Sequence, residues 1–505
     1  MILTMLRQIL KPVFLAVCAA LLLADVTPSK TNQSPIRFPH APAATKTPKA
    51  VPPKVFPYAV HTRTLENGLH VVIIPTPEFK DMATYATAVY AGSRNETERG
   101  KTGLAHLFEH EMFLHEYGGA AGGYEAHIRA LGVDNNAFTS YDLTFFHPTT
   151  FTSNLIGPVE RPGGAHPGLI ELEAARFQNL TISRKSFQVE AGAVLGEYRR
   201  IFSDPSEKMI EALSEKAFPT HPYGHTVIGY ADDVENMAQA WDAAWEFYGH
   251  YYRPNTVAVI VVGDVEPEDL LPAIKKAYSG WKPQKPPRIP LPAPPAAEVK
   301  VHVSWGAEVA PHVMVGYHTP AAKPGSKETA AGQILHELLV SRSAPLYQKL
   351  RYQKQTVTSL HLAADPLSTD PHWLLLEGEL RLERFRHDGR PYAEDVEHDL
   401  VQGMEELKTF SKQPRAAETL AVVRERVRND FLARLNSTTN IASLFAGYYR
   451  FGYDAQAIDK AMAAIQALTP ADIDAYASKY FTPSQRVSAT LWQDKTGSAD
   501  APGGH

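Results

Sequence analysis

The residues best placed for chemistry are two histidines and a glutamate in GLAHLFEHEMF, residues 103–113. His106 and His110 are four residues apart, so on a helix they project from the same side, one turn above the other. That spacing lets two imidazoles bind one tetrahedral zinc ion at about 2.0–2.1 Å. Glu109 lies on that side too, within reach of a proton on a water at the metal. The pattern H-x-x-E-H therefore predicts a zinc site with its own general base.

The same residues have a plainer interpretation, a pair of histidines on one face of an amphipathic helix. The chain has 21 histidines, so the motif alone does not exclude this reading. A catalytic zinc needs a third protein ligand and an open fourth position. A convincing metal site must therefore supply another ligand from elsewhere in the chain.

The candidates for that ligand are Glu190 and Glu197 in SFQVEAGAVLGEYRRIF. Seven residues are close to two helical turns, so both carboxylates line one face, about 10 Å apart. One of them can bind the metal while the other orients a neighbouring ligand. The surrounding apolar residues Val189, Ala193 and Val194 predict that this face is buried.

Composition sets broad limits on the function. The chain has 505 residues, 44% of them apolar and 21% charged, with a formal net charge of -5. These values are typical of a globular protein with more than one domain. We find no basic stripe or lysine-rich run, so nucleic acid is not an expected partner.

Residues 1–24 have the layout of a secretory signal peptide, with Arg7 and Lys11 before an apolar run. Cleavage near Ala24 would remove Cys18, the single cysteine, and so exclude disulfide and thiol chemistry. This predicts a periplasmic or secreted protein with no membrane span in the mature chain. An uncleaved anchor and a lipid-modified Cys18 are alternatives, although the apolar run is short for a span of about 20 residues.

Proline-rich stretches divide the remaining chain. Residues 25–56 are predicted to be an extended tether and residues 282–297 an interdomain linker. They separate an N-terminal domain (57–281), which carries the zinc motif, from a C-terminal domain (298–494) with a flexible tail (495–505).

The two predicted domains resemble each other. YYRPNTVAVIVV (251–262) and YFTPSQRVSATL (480–491) share an aromatic pair, a proline and a strand-like run, each near a domain end. Such a match indicates duplication. Strand-like runs separated from helical runs predict an α+β fold, in which each homologous domain is a mostly antiparallel sheet with helices packed on one side.

The motifs and their order resemble the pitrilysin/insulinase family of zinc peptidases, as a bacterial exported member of the branch that includes mitochondrial processing peptidase. The resemblance covers most of residues 58–495. It is carried by TLENGLHVVIIP, AGSRNETERGKTGLAHLFEH, NNAFTSYDLTFFH, VEAGAVLGEYRR, AFPTHPYGHTVIGY and YYRPNTVAVIVVGDV.

The resemblance implies one zinc ion per chain, bound by His106, His110 and Glu197. It implies Glu109 as the base and Glu190 as the acid that supports a neighbouring ligand. The gap between His110 and Glu197 is about ten residues longer than the family pattern, and a loop-like insertion at residues 156–168 accounts for it.

The resemblance also implies how a peptide is held. Substrates of the family add as a strand to an exposed sheet edge, and the matching edge residues are Asn136, Ala137, Phe138 and Thr139. The second domain of complete enzymes supplies an arginine and, seven residues later, a tyrosine. Arg351 matches the arginine, but Thr358 occupies the place of the tyrosine.

This departure predicts a heterodimer, in which a related zinc-less subunit provides the Arg/Tyr pair; a homodimer is the alternative. The predicted function is a zinc metalloendopeptidase that cleaves peptides or unfolded segments. Two other functions stay open at this point. One is a metal-binding but inactive scaffold or binding subunit, and the other is a dedicated protease that matures one partner peptide.

Overall fold

The computed structural model describes residues 54–494, apart from 120–122, 163, 290–291 and 293–296. The predicted signal peptide, residues 25–53 of the tether, part of the linker and the C-terminal tail lie outside the described residues. The predicted domain boundaries therefore stay predictions. In the described part of the chain, we find no helix with the length and apolar character required to cross a bilayer.

The strands of the described chain are β1 (His61–Thr64), β2 (His70–Pro75), β3 (Met82–Val89), β4 (Ala137–Thr139), β5 (Thr144–Phe146), β6 (Thr149–Phe151), β7 (Val159–Arg161), β8 (Gly164–His166), β9 (Val257–Gly263), β10 (Val299–Ser304), β11 (His312–Thr319), β12 (Val357–Ala364), β13 (His372–Leu380) and β14 (Arg486–Trp492).

The α-helices of the same residues are α1 (Leu104–Glu111), α2 (Gly123–Leu131), α3 (Leu169–Gln178), α4 (Arg184–Ile201), α5 (Pro205–Ala217), α6 (Ala231–Asn236), α7 (Trp241–Tyr251), α8 (Pro267–Ala277), α9 (Lys327–Leu339), α10 (Pro345–Tyr347), α11 (Leu382–Asp388), α12 (Arg390–Glu405), α13 (Ala416–Ala433), α14 (Thr438–Tyr449), α15 (Ala457–Gln466) and α16 (Pro470–Tyr480). A π-helical turn, Gln348–Gln353, continues α10.

The first sheet has the strand order β1-β2-β9-β3-β5-β4, with β6 paired to β3. Its β2–β9 pair is parallel and its other pairs are antiparallel. Strand β9 is buried along its whole length. Because side chains alternate across a strand, Val257, Val259 and Val261 enter one core while Ile260 and Val262 enter another.

The second sheet repeats this topology. Its order β10-β14-β11-β13-β12 follows the same sequence of connections as β2-β9-β3-β5-β4, and β10–β14 is likewise its parallel pair. The remaining pairs are antiparallel. The predicted α+β class, with two similar and mostly antiparallel halves, is confirmed.

One helix from each half of the chain, the half with the first sheet and the half with the second, packs on the sheet of the other half. Helix α5 packs on β10 and β14, and helix α14 packs on β3 and β9. Met209 and Leu213 of α5 join the same apolar cluster as Leu491 of β14. The two halves therefore share their cores, and helices cover both faces of each sheet. This corrects the prediction that helices pack on one side, because the helix from the other half covers the second face.

Candidate active site

Helix α1 carries the H-x-x-E-H motif, and a buried carboxylate caps its first turn. Glu96 accepts hydrogen bonds from the backbone N–H groups of Gly103 (2.7 Å) and Ala105 (2.6 Å). These N–H groups have no hydrogen-bond acceptor inside the helix, so the Glu96 carboxylate supplies the acceptor that they lack. Burial raises the pKa of Glu96 to about 8, against the effect of these backbone hydrogen bonds.

Gly103 is required where the chain enters α1. Its φ of 83° lies in the left-handed region, and a Cβ there would stand 2.4 Å from the carbonyl oxygen of Ile228. Asp233 fixes the preceding loop, accepting hydrogen bonds from the Gly100 N–H (2.9 Å) and the Thr102 hydroxyl (2.6 Å). The Gly-Lys-Thr-Gly loop therefore fixes the position at which helix α1 begins.

The second helix of the site, α4, begins at a serine cap, where the Ser183 hydroxyl accepts from the N–H of Ser186 at 3.1 Å. It packs against α1 and brings Glu197 to the two histidines. Glu197 Oε2 lies 3.6 Å from His106 Nε2 and 3.7 Å from His110 Nε2.

These distances test whether the residues fit a metal. A tetrahedral zinc with bonds of about 2.0–2.1 Å places its ligand atoms about 3.3–3.5 Å apart. One donor atom from each of His106, His110 and Glu197 lies within 4.8 Å of the other two. The donor set and its spacing therefore suit one zinc ion.

Glu190 approaches His110 from the other edge of the imidazole ring. Its Oε2 lies 3.3 Å from Nδ1, so a proton on that nitrogen leaves the Nε2 lone pair directed at the cluster. The structure thus separates the two acids, with Glu197 in the cluster and Glu190 behind it. That these residues act as metal ligand and support stays a prediction.

Glu109 lies beside the cluster, with its Oε2 atom 4.0 Å from His106 Nε2. The Thr139 hydroxyl donates to the same oxygen at 2.7 Å. Burial raises the pKa of Glu109, and the hydrogen bond from Thr139 and the nearby His110 act in the opposite direction. A buried carboxylate next to an open metal position has the location expected of a general base.

The charged groups of the cluster shift one another's pKa values. Burial, together with the charge of His110, lowers the pKa of His106 to about 4. Burial also opposes a charge on His110, but the hydrogen bond with Glu190 and the nearby carboxylate of Glu197 outweigh it and raise the pKa of His110 to about 10. His110, with its Nε2 atom 3.7 Å away, in turn lowers the pKa of Glu197 to about 2.

One sequence expectation about α4 is wrong. The face around Glu190 and Glu197 was expected to be buried, but Val189 is 62% exposed and Ala193 is also exposed. Only Val194 of the three apolar neighbours packs into the core. Successive helical residues point about 100° apart, so these neighbours flank the acids and do not cover them. The two acids are themselves partly buried, with side chains 23% and 27% exposed.

The predicted substrate edge is a true edge of the first sheet. Strand β4 is the last strand in the order, and Asn136 just before it is exposed. The Asn136 side chain accepts from the N–H of Ala137 at 2.8 Å, while the ring of Phe138 packs 5.4 Å from that of Phe145. The bond between Thr139 and Glu109 places this edge next to the cluster. Substrate binding there stays a prediction.

The structure does not join Arg351 to the cluster. It lies in the π-helical turn of the second half, and in the described part of the chain it makes no hydrogen bond or ion pair. The Thr358 hydroxyl donates to the carbonyl oxygen of Glu379 at 3.2 Å. This threonine is therefore engaged in its own sheet and does not replace the phenol of a tyrosine.

Sequence reasoning placed Thr139 on the substrate edge but missed its contact with Glu109, and it missed Glu96 and Glu111. Thr139 and Glu96 reach the motif from other elements, so no local spacing reveals them. Glu111 directly follows the motif and is fully buried, and neither of its carboxylate oxygens has a hydrogen-bond partner in the described structure. Its position one turn after the buried Leu107 was a signal that it points inward.

Two family models match this chain. Insulinase (Peptidase family M16) matches residues 71–230, and the Peptidase M16 inactive domain matches residues 242–381. The chain belongs to the M16 peptidase family. This confirms the resemblance found in the sequence, and His106, His110 and Glu197 lie in the first matched region.

The relatives of this M16 chain cover it to different extents. The zinc protease PqqE of Helicobacter pylori is 28% identical over 442 residues, which are 85% of this chain and 91% of the relative. The β subunit of mitochondrial-processing peptidase from Bos taurus is 27% identical over 213 residues, 42% of this chain and 40% of that subunit. The M16 family assignment therefore agrees with relatives named as zinc or processing peptidases.

Solved structures show the same fold. A protease from Helicobacter pylori matches with a TM-score of 0.74 at 26% identity, over 86% of this chain and 99% of that one. The periplasmic protease PqqL from Escherichia coli matches with a TM-score of 0.66 at 18% identity, over 86% of this chain but 48% of PqqL. This M16 chain thus corresponds in fold to about half of the longer protein.

Proposed function

We propose that this M16 chain is a zinc-dependent endopeptidase that hydrolyses peptides or unfolded segments. The proposal rests on one observation, the convergence of donor atoms of His106, His110 and Glu197 within 4.8 Å of one another. Two imidazoles and a carboxylate are a ligand set that suits catalytic zinc. The relatives named as zinc proteases support the same activity.

The zinc ion and the residues around the cluster have different roles in the proposed hydrolysis. When bound, zinc supplies Lewis acidity, which polarises the scissile carbonyl and lowers the pKa of a water. Glu109 accepts a proton from the attacking water and returns it to the leaving amine. Glu190 holds the orientation of His110, and the open edge of β4 pairs with the backbone of the substrate.

The chain is proposed to act as the catalytic subunit of a heterodimer. Its first half contains the metal cluster, but its second half carries Thr358 where a substrate-binding tyrosine is expected. A related zinc-less chain would supply the Arg/Tyr pair, and a homodimer is the alternative. The match to half of PqqL supports pairing of two such units, since the longer chain has room for both.

Export is the proposed route to the periplasm. The charged and apolar layout of residues 1–24 supports removal of this segment during secretion. Expression with the native N-terminus, followed by fractionation and N-terminal sequencing, tests this. A periplasmic protein that starts near residue 25 is expected; a cytoplasmic protein with residues 1–24 intact would contradict the proposal.

The activity is tested with purified zinc-loaded protein, alone and co-expressed with a related zinc-less chain. Glu109→Gln is expected to keep its zinc and lose peptide hydrolysis, because it removes a proton acceptor and no metal ligand. Glu125→Gln, in the partly exposed helix α2, is the matched control and should keep full activity.

The same assay separates the alternatives. Bound zinc without hydrolysis of any peptide, alone or paired, would indicate an inactive scaffold. Cleavage of a single partner peptide would indicate a dedicated maturation protease. A lone chain as active as the pair would contradict the shared site.

A further inference from the structure

Thr139, at the end of β4, makes a specific contact with the proposed base. Its side chain is 8% exposed, and its hydroxyl donates to Glu109 Oε2 at 2.7 Å. Among the residues that the structure describes, no other side chain donates a hydrogen bond to Glu109. We propose that Thr139 is a positioning residue whose hydroxyl orients the Glu109 carboxylate toward the attacking water. The proposal rests on the proposed function of Glu109 as the general base.

A glutamate in this position needs such a contact. Its carboxylate ends a flexible side chain, and rotation about the terminal bond is only weakly restricted. A donor on one oxygen removes that freedom and leaves the other oxygen and the remaining lone pair for the proton in transfer. Because proton transfer requires a heavy-atom separation of about 2.6–3.2 Å, a rotated carboxylate is a poor base.

The donor is itself held in place. Thr139 pairs with Thr144 across the β4–β5 hairpin, and the N–H of Ser140 donates to the carbonyl oxygen of Leu143 at 2.8 Å. The turn that joins the two strands contains Asp142, which is buried. The hydroxyl therefore projects from a short, closed hairpin.

Residues of the second half of the chain bind that turn through an ion pair and a hydrogen bond. Asp142 Oδ2 accepts from Arg450 Nη1 at 2.8 Å and from the backbone N–H of Thr369 at 2.9 Å. Tyr223, from the first half, donates to the other oxygen of Asp142 at 3.1 Å. Both halves thus fix the hairpin, so the position of Thr139 relative to Glu109 depends on the whole fold.

Two substitutions at one position separate orientation from packing. Thr139→Val keeps the shape and removes the donor, while Thr139→Ser keeps the donor. With the zinc-loaded protein in the form found active, the valine variant is expected to lose about 10–100-fold in kcat, since general base catalysis contributes about 10²–10⁴-fold. KM and the zinc content of this variant should stay within about twofold, and the serine variant should retain nearly all activity.

A crystal structure of each variant gives a readout that does not depend on turnover. The Glu109 carboxylate should be rotated or disordered in Thr139→Val and unchanged in Thr139→Ser. A valine variant with wild-type kcat, or a serine variant as impaired as the valine variant, would overturn the proposal. Loss of zinc or of folding in the valine variant would also overturn it, because the hydroxyl would then serve the fold. Activity in Glu109→Gln would instead defeat the proposed function itself.

Discussion

Glu190 stands behind His110, with its Oε2 3.3 Å from the Nδ1 atom, whereas Glu197 lies 3.7 Å from the Nε2 atom of the same ring. One imidazole thus links two acids that are seven residues apart on α4. Acids that hold a metal-bound histidine fix its tautomer and raise its basicity. The relationship gives the two glutamates different roles, although the sequence presents them alike.

Substitution of Glu190 should weaken zinc binding without abolishing it. Glu190→Gln removes the carboxylate that holds the His110 ring, and the expected loss in zinc affinity is about 10–100-fold. Competition with a chromogenic chelator measures the affinity. Glu235→Gln, on exposed helix surface, is the control. An affinity for zinc that is equal in Glu190→Gln and the wild type would contradict the assigned support role.

The cap of α1 should contribute measurably to stability. Glu96→Ala leaves the N–H groups of Gly103 and Ala105 without a partner in a buried place, which costs about 1–3 kcal/mol of unfolding free energy. Denaturant titration measures the change. Glu98→Ala is the matched control in the same loop, because Glu98 is exposed and its ion pair with Lys101 contributes about 0–1 kcal/mol. Equal stability of the two variants would show that Glu96 is not the cap described.

Two buried histidines of the second sheet should make the protein acid-sensitive. Burial lowers the pKa of His318 to about 4 and that of His372 to about 3. Below the usual histidine pKa of about 6.5, these two histidines are protonated in the unfolded chain but stay neutral in the folded chain. Each histidine therefore reduces stability as the pH falls from about 6.5 to 4, by about 1.4 kcal/mol per pH unit.

His372 offers a direct check of this pH dependence. Its ring stacks on Phe218, so His372→Phe keeps an aromatic ring in the site and removes the titrating group. Unfolding free energies at pH 7, 6 and 5 should fall less steeply in this variant than in the wild type. His387→Phe, at an exposed position, is the control. An unchanged slope in His372→Phe would refute the assignment.

The buried Glu111 should act in the opposite pH direction. Burial, with the nearby Glu190, raises the pKa of Glu111 to about 8. Between about pH 4.5 and 8 the unfolded chain loses a proton that the folded chain keeps, so stability falls as the pH rises through this window. Glu111→Gln removes that cost, and the metal-free variant should be more stable than the wild type at pH 8 but similar at pH 5. Chemical denaturation at the two pH values measures this, and equal differences at both would contradict it.

Local spacing is enough to predict the parts of the site that lie on single helices. The intervals between His106 and His110, and between Glu190 and Glu197, are periods of an α-helix, so the sequence alone places each pair on one face. The fold class follows in the same way from strand-like and helical runs, and from the repeated domain ends.

Contacts between elements cannot be predicted by the same reasoning. The hydrogen bonds of Thr139 to Glu109 and of Glu96 to the start of α1 depend on how a hairpin and a loop pack, which periodicity does not specify. The exposure of Val189 is not predicted because an apolar residue beside an acid is ordinarily a sign of burial. The exchange of α5 and α14 between the halves likewise depends on tertiary packing.

Zinc content of the purified wild type and of Glu197→Gln, measured by atomic emission after dialysis, tests the central claim most directly. We expect one zinc per wild-type chain and almost none in the variant, with both proteins equally folded by circular dichroism. A wild type that carries no zinc, or a folded Glu197→Gln variant that keeps its full share, would contradict a metal centre built from His106, His110 and Glu197.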